Sequence, residues 1–145
     1  MQSTLRLAVL ALFVVGIGWG CSGDSVNPRF AKTWTGTATV TIPGTSPLSY
    51  PSQLTITVSG DSATATNICP DGSGSVTAHG NGDTINWTGS VDCPPVALSC
   101  GSATLTYKTA TLTLSSDGKT LTAQGSGTAS VCGVSAPITT SFVGT

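Results

Sequence analysis

Glutamate is absent from this chain of 145 residues, and methionine and histidine occur once each. With only three Lys and two Arg besides, long helix-favouring side chains are too few for a helical bundle. Charge is equally thin, at 8% of residues, and no run of like sign occurs. That leaves no basic stripe for nucleic acid and no patch for an anionic membrane face. The five cysteines include no CxxC pair, which counts against a zinc site, and no serine stands in a nucleophile motif. Asp61, Asp71, Asp83, Asp92 and Asp117 lie in or beside turn signals, where Asp serves backbone geometry. His79 falls on the outward face of a predicted strand. No metal, no cofactor and no enzymatic role is predicted, because acid/base groups of tuned pKa are hard to find.

Thr, Ser and Gly dominate instead, and Thr favours strands while Gly punctuates them. From Thr33 to Ile42 the pattern is strictly two-fold: Trp34, Gly36, Ala38, Val40 and Ile42 on one face, five threonines on the other. Residues 43–52, with three prolines, read as a long loop. Leu54, Ile56 and Val58 then point inward, followed by Ala63 and Ala65, Val76 and Ala78, and Ile85, Trp87, Gly89 and Val91. Tight turns are predicted at 60–61, 81–83 and 117–118. Further along, Ala103, Leu105 and Tyr107 are followed by Ala110, Leu112 and Leu114, a change of phase that calls for a β-bulge near Lys108-Thr109. Thr120–Val131 alternates for twelve residues, and Ile138, Thr140 and Phe142 belong to the last strand. The expected fold is all-β, an antiparallel eight-stranded up-and-down barrel or meander, with a two-sheet β-sandwich as the alternative.

The chain begins with Arg6 ahead of an apolar run, Leu7 to Trp19, of thirteen residues, short of the about 20 that cross a bilayer. A charged start, an apolar middle and a small-residue end describe a secretory signal. With Gly20 before Cys21, the junction resembles a bacterial lipoprotein precursor, although Gly18 stands where lipoboxes usually carry an aliphatic residue. The resemblance implies cleavage after residue 20, lipidation of Cys21 with acyl chains such as palmitate, and a membrane anchor. Ser22 in place of Asp implies the outer membrane rather than the inner. The resulting division is a signal peptide at 1–20, a lipidated Cys21 and short linker at 21–32, and one domain at 33–145.

Assigning Cys21 to a thioether leaves Cys69, Cys93, Cys100 and Cys132, which in an exported domain form two disulfides. Three pairings are possible. The spacing favours Cys93 with Cys100, bracing Pro94-Pro95, and Cys69 with Cys132. In an up-and-down order loops 43–52, 69–73, 93–101 and 132–136 share one end, and the last three contain all four. The tight turns and the tether share the other end, so the stapled loops face away from the membrane, and loops on a rigid scaffold are where binding usually sits.

Trp34 and Trp87, inward among glycines and alanines, either fill the core or line a cavity with Tyr107. An eight-stranded barrel with a tryptophan early in its first strand is similar in outline to lipocalins and the avidin-like group, which implies a small apolar ligand in the mouth. Lys32 occupies the position of glycine in the lipocalin Gly-x-Trp, and no arginine follows Arg29 to pack on the tryptophan. The function expected is non-enzymatic binding of a small apolar ligand or an envelope component. A structural or adhesive sandwich binding protein or glycan comes second, and an enzyme last.

Overall fold

A computed structural model describes residues 25–145; the signal segment and Cys21 lie outside the described residues. A short 3-10 helix, Pro28–Phe30, precedes nine strands: β1 (Thr33–Thr41), β2 (Leu48–Ser59), β3 (Ser62–Thr66), β4 (Ser75–Asn81), β5 (Thr84–Asp92), β6 (Val96–Leu98), β7 (Gly101–Leu114), β8 (Leu121–Val131) and β9 (Val134–Gly144). They form one antiparallel sheet. β1 to β5 pair in chain order, β7 to β9 do the same, β9 returns to β1, and β5 pairs with β7. Eight strands thus close in a ring, with β6 added outside it on β7.

Alternation decides which residues face inward. In β1 Trp34 and Val40 are buried while Thr33, Thr35 and Thr37 are exposed. Outward hydroxyls pair across strands, as Thr33 with Thr55 at 2.9 Å and Thr64 with Thr77 at 3.0 Å, the cross-strand contacts that stabilise a sheet. The phase change in β7 is a bulge: Tyr107 pairs with Gly127 and Thr109 with Ser126, leaving Lys108 without a partner on β8. Toward β5 the same point sets Gly89 and Ser90 against Lys108, whose ammonium donates to Ser90 Oγ at 2.7 Å.

Four expectations need correction. β2 begins at Leu48, so the second half of the 43–52 loop is strand, and Pro51 pairs with Thr37. β3 pairs with β2 only from Thr55 onward, so the first half of β2 is an edge, where a proline without an N–H is tolerated. The 93–101 loop contains β6, folded back on β7 through Ser99-Cys100. The 132–136 loop is a two-residue turn, with Cys132 and Gly133 at φ 51° and 83°, the left-handed pair that a tight hairpin requires. Residues 26–31, read as linker, pack under the ring: Val26 N–H donates to the Gly60 carbonyl and Asn27 N–H to that of Gly82, and Phe30 is wholly buried.

The disulfides are Cys69–Cys93 and Cys100–Cys132, with Cα separations of 5.5 and 5.6 Å. The favoured pairing of Cys93 with Cys100, and of Cys69 with Cys132, is therefore incorrect. Cys93 N–H bonds to Leu105 at the base of the β6–β7 hairpin and Cys100 sits at its tip, roughly 20 Å apart at a strand's rise per residue. A disulfide spans less than about 7 Å between Cα atoms. All four cysteines do lie at the end opposite the 60–61, 82–83 and 117–118 turns, as the spacing implies.

Candidate functional site

The interior divides by level. At the tight-turn end Phe30, Trp34, Leu114 and Leu121 are fully or almost fully buried. Trp34 Nε1–H donates to the Phe30 carbonyl at 3.0 Å, and the Lys32 ammonium lies 3.8 Å from the centre of its ring. The cation over this tryptophan thus comes from two residues earlier in the chain. Such a contact contributes about 0.5–1 kcal/mol at an exposed edge. Trp34 is a satisfied core residue and does not line the cavity above it.

That cavity occupies the middle of the ring and amounts to about 120 Å³. Its walls include six alanines, at 38, 63, 65, 78, 110 and 123, together with Gly125. Small side chains at inward positions of five strands leave the space. Larger apolar groups, Leu54, Ile56, Ile85, Leu112 and Phe142, complete the lining. Toward the loop end come Tyr50, Trp87 and Tyr107, with Asn67 and Ile68 from the β3–β4 connection. Of the three predicted ligand-lining residues, Trp87 and Tyr107 line the cavity and Trp34 does not.

Tyr50 and Tyr107 mark the border between the cavity and a second apolar cluster of Val40, Ala129 and Ile138. Their hydroxyls interact, and either can be the donor. Burial pushes both phenols above the usual tyrosine range, and for Tyr107 the neighbouring Tyr50 raises it further. Tyr50, Asn67 and Ile68 escaped the sequence reading. Tyr50 is in inward phase with Ser52 and Leu54, a signal hidden by the three prolines around it.

Among the described residues the charged and imidazole side chains lie apart from the cavity. His79 Nδ1 lies 3.4 Å from Asp61 Oδ2 and 3.5 Å from Ser62 Oγ, with His79 and Asp61 both exposed. Serine and aspartate approach the same ring nitrogen, whereas a proton relay needs them on opposite ones. Asp71 and Asp117 accept hydrogen bonds from Ser73 and Ser115, which hold their carboxyls below the usual range. Both serve turns, as predicted for aspartates in this chain. Among the described residues no three His, Cys, Asp or Glu side chains gather as metal ligands.

What the arrangement can do chemically is enclose an apolar group. A comparison of the chain with protein-family models and with curated proteins returns no match.

Proposed function

We propose that this chain is a non-enzymatic envelope lipoprotein, tethered through Cys21 at the outer membrane, whose ring of strands binds a small apolar ligand. The observation that carries the binding reading is the cavity: about 120 Å³ lined by alanines and large apolar side chains, where close packing would otherwise leave none. Six positions would each have to hold a small residue by accident for the space to be idle. The tether is supported by the cysteines, since four pair among themselves and Cys21 is the one left over. Disulfides also belong to oxidising compartments. Ser25 enters at the tight-turn end, bonded to Gly82, so a lipid on Cys21 puts the stapled loops on the far side.

A second reading, docking of a protein or glycan partner, has one observation in its favour. Leu48, Val96 and Val134 are exposed at the loop end, in register with the inward positions Val40, Ala103 and Val131.

Native mass spectrometry separates the two. Residues 25–145 hold every strand, both disulfides and the whole cavity lining, so the chain from Ser22 onward, exported to an oxidising periplasm and purified without detergent, carries the fold. Excess mass that disappears on denaturation is the expected result. A bare polypeptide mass that no small apolar compound changes contradicts the binding reading. Lipidation is tested separately: an alkyne fatty acid should label the full chain and fail to label Cys21→Ala.

A further inference from the structure

The charge inventory narrows the ligand that the proposed binding site takes. Every Asp, Lys, Arg and His among the described residues is exposed, and none lines the cavity. The polar side chains that do line it are uncharged, hydroxyls and carboxamides that can donate or accept and the indole of Trp87. Trp87 Nε1–H, which can only donate, and the Asn67 carboxamide make no hydrogen bond to another described residue.

The position of the indole singles out Trp87 among these donors. Its edge lies over Gly89, where an added Cβ would come within 2.8 Å of Cζ2 and 3.3 Å of Nε1. Gly89 is exposed and stands two residues nearer the loop end, so the N–H sits at the outer edge of the cavity, where a ligand's polar end would emerge. The space, about 120 Å³, is slightly below the roughly 150 Å³ of an apolar cavity that accepts benzene.

We infer that the ligand is an uncharged molecule with an apolar body about one ring in size and an oxygen acceptor that takes a hydrogen bond from Trp87 Nε1–H. This rests on the binding reading above and adds the chemical class and the orienting residue. An ionised carboxylate or ammonium entering here would leave water with no opposite charge in the lining, a cost that rejects it. A plain hydrocarbon fits the walls but leaves the N–H unmatched.

The test uses four probes of one ring, acetophenone, ethylbenzene, benzoate and benzylamine, titrated at neutral pH into the chain from Ser22 onward and followed by ¹H–¹⁵N spectra. Acetophenone should bind saturably and move the Trp87 indole N–H, while the Trp34 indole, already bonded to Phe30, serves as an internal control. Ethylbenzene should bind about three- to tenfold more weakly, the worth of one hydrogen bond, and leave the indole N–H nearly unmoved. Benzoate and benzylamine should be at least about tenfold weaker than acetophenone. Trp87→Phe, which keeps an aromatic wall and removes the donor, should reduce acetophenone to the affinity of ethylbenzene. Benzoate or benzylamine binding as tightly as acetophenone, or an unchanged preference in Trp87→Phe, overturns this inference while the binding reading stands. No binding by any of the four overturns both. If Trp87→Phe loses its dispersed spectrum, the ranking of the probes on the wild-type chain decides.

Discussion

Tyr50 and Tyr107 are the only tyrosines of the chain, which makes their ionisation a direct report on the ring's interior. Burial raises both above the value of 10.0 for a free phenol, because a phenolate loses its hydration there. In the unfolded chain they titrate near 10. Their stabilising contribution is therefore complete below that pH and is lost as pH rises from there toward the folded value, since the unfolded state gives up its protons first. Phenolate absorbance in an alkaline titration should lag that of free tyrosine and appear together with loss of the near-UV circular dichroism. Ionisation at the free value with the fold intact would mean that the two hydroxyls are open to water. Trp34 and Trp87 illustrate the same dependence on level. Both point inward, yet one is sealed by Phe30 and Lys32 while the other lines the cavity.

At the scale of elements, the segment before β1 behaves as a plug. Phe30 fills the tight-turn end beneath Trp34, and Arg29 lies against the β7–β8 turn, within 2.7 Å of where a Gly118 Cβ would stand. Phe30→Ala should destabilise the fold by about 3–5 kcal/mol, the usual cost of emptying an aromatic from a core, as read from the denaturant midpoint. A change below about 1 kcal/mol would contradict the plug and restore residues 22–32 to a linker. The two disulfides differ in the same way. Cys69 and Cys93 are each 4% exposed, whereas Cys100 and Cys132 are exposed at hairpin tips. Each closes a loop worth about 3–4 kcal/mol by chain entropy, but access differs. Graded reduction followed by alkylation should label Cys100 and Cys132 first, and equal or reversed labelling would contradict this burial order.

These elements also show what periodicity can and cannot carry. β1 and β8 are plain in the sequence because threonines and small apolar residues alternate over long runs, and the bulge at Lys108 follows from one slipped phase. The opening half of β2 is hidden by Pro43, Pro47 and Pro51, since a sequence does not say that a strand is an edge. β6 has three residues, too few to show alternation. Phe30 stands in an aperiodic stretch, and its burial depends on the chain turning back under the ring. The pairing of cysteines depends on which loops meet, which spacing does not encode. Among site residues, inward phase identifies Trp87 and Tyr107, but the level an inward residue occupies is set by strand register, so Trp34 reads the same and does a different job.

At the scale of the whole molecule, eight strands closed in a ring leave two ends with separate tasks. One is plugged by Phe30 and tied to the chain's start. The other carries both disulfides, the short β6 and three exposed apolar side chains. Between them lies an apolar cavity, with every charged side chain of the described residues on the outer surface. The account centres on that cavity, and the most direct test is a fluorescence titration of the chain from Ser22 onward, whose two tryptophans are Trp34 and Trp87, with uncharged one-ring compounds. Alongside the wild type, an Ala65→Leu variant adds bulk to the cavity wall and should cost about 1–3 kcal/mol in stability if it overpacks. The prediction is saturable quenching of the wild type that is lost in a folded Ala65→Leu chain. Emission that never changes in the wild type, or changes equally in the filled variant, would contradict a ligand inside the ring.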